Sequence, residues 1–233
     1  MSRKVAIVTA AGSGLGEASA RELAAQGWTV AAFSSSGRGE ALGVALGGLG
    51  VTGSLTEPAD LERLVKTTLD AYGRIDALVN SCGHPPKGEL LALTDADWHR
   101  GLDMILLSVH RLARLVTPVM AGQGGGTTIN ISTFAAYEPE EAFGLSGVLR
   151  AALGSYAKLY ADKYAPQNIR MNNLLPGFFD SLPEKEERRA RIPAGRYGRV
   201  DEFARTVAFL ASDAAAYITG QNIRIDGGLT RSV

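Results

Sequence analysis

A glycine-rich stretch near the start of the chain has the composition and spacing of a turn that binds phosphate. This stretch, Gly12-Ser13-Gly14-Leu15-Gly16, follows the apolar run Val5–Val8 and precedes a helical pattern. Glycine allows the backbone to turn sharply and to approach a ligand closely. The helix that follows would present unpaired N–H groups and the positive end of its dipole to an anion. These residues are therefore predicted to bind the pyrophosphate of a dinucleotide, with a simple tight turn as the alternative.

The residues after the second apolar run bear on which dinucleotide is bound. A strand is predicted at Thr29–Phe33, and Ser34-Ser35-Ser36-Gly37-Arg38 follows it, where the adenosine ribose of a dinucleotide would lie. No acidic residue stands in this segment to hold the free 2′-hydroxyl of NAD. The hydroxyl of Ser34 and the guanidinium of Arg38 are instead suited to a 2′-phosphate. The segment favours NADP(H) over NAD, and a solvated loop that binds no nucleotide is the alternative.

Two further side chains lie in the loop after the predicted strand Ile75–Asn80. His84 could act as an acid or base near neutral pH. A loop histidine before two prolines is otherwise structural or simply exposed. Cys82 is interpreted as a small buried residue that fills space.

Composition excludes several classes of protein. The 233 residues are 45% hydrophobic, which suits one α/β domain spanning residues 1–233. The 24 basic and 24 acidic residues balance, so the sequence predicts binding neither to nucleic acid nor to a membrane surface. No apolar run approaches the roughly 20 residues of a membrane helix, and the first residues lack a signal-peptide pattern. The single cysteine excludes an internal disulfide and favours a cytoplasmic location. The histidines lack the spacing of a metal site, so no metal is expected.

Apolar runs alternate with amphipathic patterns along the whole chain. Strands are predicted at residues 5–8, 29–33, 51–52, 75–80, 127–132, 169–174 and 223–225, and the main helices after residue 16 and at 58–72, 95–120, 145–164 and 201–212. This alternation predicts an α/β fold with a Rossmann-like, doubly wound parallel sheet of about seven strands flanked by helices. Residues 43–53 are predicted to form a short, poorly packed helix and turn. The polar segment 178–198 is predicted to be a mobile lid over the substrate.

Several motifs in order along the chain resemble those of the short-chain dehydrogenase/reductase (SDR) family. Thr9–Gly16 resembles the family's TGxxxGxG turn, with Ala10 in place of the first glycine, a change that costs little if the φ angle of Ala10 is negative. The other motifs are Leu78–Gly83 (LVNNAG), Ile129–Thr133 (INISS), Asn172–Gly177 (VNxxxPG), and the C-terminal runs Phe209–Asp213, Ile218–Gln221 and Asp226–Gly228. The resemblance covers the whole chain. It implies that Asn80, Gly83, Pro176 and Gly177 belong to the nucleotide site.

The sequence differs from the family pattern at the residues that catalyse the family's reaction. The family uses Tyr-x-x-x-Lys on the long helix, where the cation lowers the pKa of the phenol. Here the alignment places Ser146 at the tyrosine position, Arg150 at the lysine position, Thr133 at the catalytic serine position and Ile105 at the helical asparagine position. A serine hydroxyl is too weak an acid for this chemistry, and a guanidinium does not release its proton. Thr133, Ser146 and Arg150 are thus the candidate catalytic residues of an atypical tetrad, and Arg150 could bind a carboxylate, a halide or a cofactor ribose.

Two functions remain open on this resemblance. The first is an atypical SDR enzyme that acts on a small organic substrate in the usual cleft, with NADP(H) bound or with non-redox chemistry. The side chains of Tyr137, Glu138, Glu140 and Glu141 could supply a relocated acid or base, or could simply be solvated. The second is a non-catalytic ligand-binding protein or partner subunit. In either case the resemblance implies a homodimer or homotetramer.

Overall fold

Seven strands form one parallel sheet in the computed structural model, which describes residues 3–232. The strand order is β3-β2-β1-β4-β5-β6-β7, so the chain moves outward from β1 first in one direction and then in the other. The strands are β1 (Val5–Val8), β2 (Thr29–Ser34), β3 (Leu49–Thr52), β4 (Ala77–Asn80), β5 (Gly126–Ile131), β6 (Ile169–Pro176) and β7 (Asn222–Ile225). This confirms the predicted doubly wound arrangement. In such sheets ligands bind outside the carboxyl ends of the strands, where the order reverses.

Helices cover both faces of the sheet. They are α1 (Gly14–Ala25), α2 (Gly37–Ala45), α3 (Pro58–Tyr72), α4 (Asp95–Leu102), α5 (Ser108–Gly122), α6 (Gly144–Tyr164), α7 (Glu186–Arg189) and α8 (Val200–Ala211). The central strands alternate their contacts between the two layers. In β1, Ile7 packs in the core of the α3, α5 and α6 layer, whereas Ala6 and Val8 pack in the core of the α1 and α8 layer. Burial on both faces explains why the strands are continuous apolar runs.

Helices α4 and α5 are joined by a π-helical turn at Asp103–Leu107. The capping box of Thr94 and Asp97 starts α4 at Asp95, where the sequence predicts a helix to begin. By length and composition alone, Asp95–Gly122 could cross a membrane, contrary to the expectation that no apolar run reaches that length. In this fold the stretch packs as a core helix, and Ile105 in the π-helical turn is 1% exposed.

The glycine-rich segment at residues 43–53 is closely packed, so the prediction of a poorly packed helix is wrong. Helix α2 begins earlier than predicted, at Gly37, and Gly43 lies against the backbone of β3. A Cβ atom at Gly43 would be 2.1 Å from the carbonyl oxygen of Leu49. Glycine is needed here because the helix approaches the strand too closely for any side chain.

Candidate active site

A cleft of about 340 Å³ opens at the carboxyl edge of the central strands. Its walls are the turn after β1, the loop after β4, the end of β5, the first turns of α6 and the segment after β6. Most of the predicted site residues line this cleft: Ser13, Gly14, Leu15, Gly16, Gly83, Thr133, Ser146, Arg150, Pro176 and Gly177. Gly12, Ser34, Arg38 and Asn80 lie outside it.

The turn after β1 contains an unexpected backbone conformation at Ala10. Its φ angle is +46°, in the left-handed region, so the premise that its φ would be negative is wrong. A side chain in this region is strained, because the Cβ atom crowds the backbone. Gly14 at the start of α1 also has a positive φ, of 59°. Gly16 approaches the turn so closely that a Cβ atom there would be 2.5 Å from the carbonyl oxygen of Ala10.

The first turn of α1 is open to an anion. Ser13 occupies the position before the helix, but its hydroxyl makes no capping hydrogen bond to the helix. Ser13 is also exposed, and Glu17 is the acidic residue nearest this end of the helix. The unpaired N–H groups of the helix and the free hydroxyl are the donor set that a phosphate requires.

Gly12, Ser34 and Arg38 lie together at the end of β2. A Cβ atom at Gly12 would be 3.1 Å from the Ser34 hydroxyl oxygen. Ser34 is buried, and its hydroxyl donates to the carbonyl of Ser36 at 2.5 Å and accepts from the amide of Gly39 at 3.0 Å. Arg38 is exposed, with its Nε atom 3.5 Å from the Ser36 hydroxyl. Of the two residues predicted to hold a 2′-phosphate, Arg38 therefore has the freer side chain.

Asn80 belongs to a ladder of four asparagine side chains, three of them buried, that crosses four strands. Its Nδ2 donates to Asn130 at 2.8 Å, Asn130 donates to Asn173 at 2.8 Å, and Asn173 donates to Asn222 at 2.7 Å. These residues are paired in register on β4, β5, β6 and β7. The Oδ1 atom of Asn80 is buried and has no partner among the described residues. The sequence contains a signal for this ladder, since an asparagine recurs at matching places in four strands.

Arg150 lies at the floor of the cleft as a buried cation. It is 7% exposed. Its Nε donates to the Ser146 hydroxyl at 3.2 Å, its Nη1 donates to the carbonyl of Ile131, and its Nη2 lies 3.0 Å from the sulfur of Cys82. These contacts use three of its five N–H groups. Within residues 3–232, no carboxylate forms an ion pair with this guanidinium.

Some residues around Arg150 lie where the sequence predicts them and others do not. Cys82 is only half-buried: it packs against the core, as a space-filling residue would, but its sulfur also faces the guanidinium. Thr133 lines the cleft and accepts a 3.4 Å hydrogen bond from the amide of Ala135. The neighbouring Ser132 hydroxyl is buried with no partner in the described chain. Ile105, at the position of the family's asparagine, is in the hydrophobic core and outside the cleft lining.

Two of the loop carboxylates that could have served as relocated acids are used elsewhere, and the third, Glu141, does not line the cleft. Glu138 accepts hydrogen bonds from the amides of Ser232 and Arg231, both at 2.6 Å, and these donors hold its pKa below the ordinary value. Glu140 forms an ion pair with Arg191 of the segment 178–198. Neither residue lines the cleft, and the Tyr137 ring lies 5.7 Å from the Arg224 guanidinium. The cleft lining contains no tyrosine and no carboxylate from the part of the chain that is described.

The cleft is instead lined by cationic and aromatic side chains. His84 lines it, and partial desolvation, reinforced by the positive charges of Lys87 and Arg150, lowers its pKa below 6.5. Lys87 and Arg188 are at its rim, and the Arg188 guanidinium lies 4.9 Å from the ring centre of Phe178. No cluster of three or more metal-binding side chains occurs among residues 3–232.

An aromatic wall closes one side of the cleft. Phe134 packs edge-on against Phe143 and Phe178, with ring centres 5.6 and 5.5 Å away. Phe178 in turn stacks on Tyr197, with ring centres 5.7 Å apart. The segment 178–198, predicted as a lid, therefore contributes a buried aromatic end to the wall and is tied to the opposite loop through Arg191.

The parallel sheet, the glycine turn at the start of α1 and the cleft at the strand ends define a Rossmann-like domain of the dinucleotide-binding type. Residues 9–230 match the family model described as Enoyl-(Acyl carrier protein) reductase. The chain is 33% identical over 239 residues to 3-oxoacyl-(acyl-carrier-protein) reductase FabG of Thermotoga maritima, covering 97% of this chain and 97% of that protein. It is 33% identical over 236 residues to FabG of Escherichia coli K12, with 97% of each chain covered. Dehydrogenase/reductase SDR family member 4 of Homo sapiens is 34% identical over 244 residues, covering 98% of this chain and 88% of that protein.

These similarities extend over almost the entire chain. The protein belongs to the short-chain dehydrogenase/reductase family of oxidoreductases.

Proposed function

We propose that this protein is an atypical SDR enzyme that binds NADP(H) and a small organic substrate in the cleft, and that its chemistry does not depend on a tyrosine. The observation that carries the proposal is the Arg150–Ser146 contact of 3.2 Å at the cleft floor, on the helix where the family places its phenol and ammonium. The sequence has no tyrosine followed four residues later by lysine. A different pair of side chains therefore stands at this place in the cleft.

The turn after β1 has the features that a nucleotide phosphate needs. Ser13 and Gly14 would hold the pyrophosphate at the open end of α1, since the Ser13 hydroxyl does not cap the helix. Arg38 would hold the 2′-phosphate, which favours NADP(H) over NAD. When bound, the reduced form NADPH would supply a hydride to an electrophilic carbon and become NADP+.

Arg150 and Ser146 are suited to stabilising negative charge on a substrate oxygen. A buried guanidinium that is fixed by Ile131, Cys82 and Ser146 is a preorganised positive charge, and such a group binds an anionic oxygen of a substrate strongly. Neither side chain can release a proton near neutral pH. His84 is the cleft-lining side chain, within the described residues, whose ordinary pKa is near neutrality. Any proton that the reaction needs would therefore come from His84 or from water.

Calorimetric titration of NADPH and NADH into the purified protein tests the cofactor part of this proposal. We expect NADPH to bind with micromolar affinity and NADH to bind more weakly. Arg38→Gln should weaken NADPH binding by about tenfold, the equivalent of one charge-assisted hydrogen bond, and leave NADH unchanged. Arg21→Gln, an exposed arginine of α1 paired with Glu17, is the matched control and should bind both as the parent does. No heat with either nucleotide would eliminate NADP(H) as the cofactor.

Turnover separates the redox and non-redox forms of the proposal. Loss of NADPH absorbance that requires a carbonyl substrate would support reduction. Conversion of a substrate without any nucleotide would support non-redox chemistry in the same cleft.

A non-catalytic partner subunit is the second candidate, favoured by the tyrosine-free and carboxylate-free lining described above. It predicts no turnover on broad substrate panels and co-purification with a tyrosine-bearing homologue. In both cases we expect a cytoplasmic homodimer or homotetramer. The exposed apolar side chains Val148 and Leu159 on α6, 54% and 71% exposed, fit such an assembly, which light scattering would measure.

A further inference from the structure

The Arg150 guanidinium is a buried charge without a compensating negative charge. Burying an ion is unfavourable unless an opposite charge or a full set of hydrogen bonds compensates for it. Arg150 has three neutral partners, and two of its N–H groups remain without a partner among residues 3–232. Because Arg150 also lines the cleft, a bound anion can supply the missing charge and accept the remaining N–H groups.

The number of donors at this point matches a carboxylate. Besides the two N–H groups of Arg150, the Ser146 hydroxyl accepts from Arg150 and so keeps its own hydrogen free to donate. The two oxygens of a carboxylate offer about four acceptor positions and match the planar guanidinium in a bidentate fashion. A halide is a single atom and cannot match the planar guanidinium through two separate acceptor atoms. A phosphate dianion would bring almost two negative charges to one buried cation.

The rest of the cleft indicates what the carboxylate is attached to. Phe134, Phe143 and Phe178 form the aromatic wall on the same cleft, and Leu145 precedes Ser146 in the lining. An apolar or aromatic group would lose water against this wall on binding. Lys87 and Arg188 at the rim would attract an anion toward the cleft, and no carboxylate in the described lining would repel it.

We propose that the substrate is a carboxylate with an apolar or aromatic body, and that its carboxylate binds to Arg150 and Ser146 while its body lies against the aromatic wall. This inference rests on the proposed function, because it takes the same cleft to be the substrate site. It goes further in naming the chemical class of the substrate and the residues that recognise it.

A matched pair of probes tests the proposal on nucleotide-free protein. 3-Phenylpropanoate and 3-phenylpropanamide have nearly the same shape but differ in charge, and ligand-observed NMR titration measures both dissociation constants. We expect the acid to bind at least about tenfold more tightly than the amide, the difference that a charge-assisted bidentate pair supplies. Equal affinities for acid and amide, or binding of neither, would overturn the proposal.

Variants locate the effect at one residue. Arg150→Met should remove the preference for the acid, while Arg205→Met, which deletes an exposed arginine of α8 paired with Asp201, should leave it unchanged. Arg150→Lys keeps the positive charge but loses the bidentate geometry of the guanidinium, so it should show an intermediate preference for the acid. This variant tests the role of Arg150 if Arg150→Met does not fold. A preference that survives in both Arg150 variants would contradict the proposal.

The nucleotide titration is run on the same samples, and it keeps the two proposals distinguishable. NADPH binding without a preference for the acid would leave the cofactor assignment standing and refute the carboxylate. A preference for the acid without NADPH binding would support the carboxylate proposal and refute the cofactor assignment.

Discussion

Replacing Ala10 by glycine should stabilise the protein, because Ala10 has a φ angle of +46°. A non-glycine residue in the left-handed region costs about 1–2 kcal/mol. Against this, glycine makes the unfolded chain more flexible, which destabilises the fold by about 0.4–1 kcal/mol. Ala10 is half-buried, so the loss of its methyl group removes only part of the roughly 0.8 kcal/mol that a buried carbon contributes. The balance favours glycine by about 0.5 kcal/mol, or roughly 1–2 °C in Tm for a chain of this size.

The next residue provides the matched control for this prediction. Ala11 is fully buried and its φ angle is not positive. Ala11→Gly therefore removes a buried methyl group without relieving any backbone strain. It should destabilise the protein by about 1–2 kcal/mol. Thermal unfolding followed by circular dichroism should therefore show shifts of opposite sign for the two variants. A loss of stability in Ala10→Gly equal to that in Ala11→Gly would refute the argument from backbone strain.

Three further predictions concern the amide ladder, helix α2 and the cleft histidine. Asn130→Ala leaves polar atoms unpaired on both sides of it in the ladder, so urea unfolding should show a loss of at least about 2 kcal/mol. The added methyl group of Gly43→Ala would clash with β3 and push α2 away from it, which should destabilise the fold by about 1–3 kcal/mol. Gly37→Ala, with no neighbouring atom within 4 Å, should be almost neutral in the same assay. Because desolvation and nearby cations lower the pKa of His84, its NMR titration midpoint should lie below 6.5, and anion affinity should rise as the pH falls through that midpoint.

The parts of the fold that depend on local patterns could be predicted from the sequence. Helix α3 spans Pro58–Tyr72 as predicted, because a proline at its start and a glycine after its end mark its limits. The apolar runs predict the parallel strands, and the glycine-rich turn predicts the start of α1. Strand ends and helix starts differ by a few residues, as at β6, which continues to Pro176 instead of ending at Leu174.

The parts that depend on tertiary contacts could not be predicted in this way. The partners of Arg150 come from β5, the loop after β4 and α6, and no local pattern shows that Ile131 and Cys82 meet the guanidinium. The same holds for Glu138, whose partners are the amides of residues 231 and 232 at the far end of the chain. The left-handed φ angle of Ala10, beside the close approach of Gly16, also has no local signal in the sequence.

We expect the side chains at positions 146 and 150 to set the chemistry of the cleft. The most direct measurement is NADPH-dependent reduction of ethyl acetoacetate by the parent and by the double variant Ser146→Tyr/Arg150→Lys, with NADPH binding confirmed for both. We predict negligible reduction by the parent and clear reduction by the double variant, because the lysine would lower the pKa of the new phenol. Equal rates for the two proteins, with NADPH bound to both, would contradict the claim.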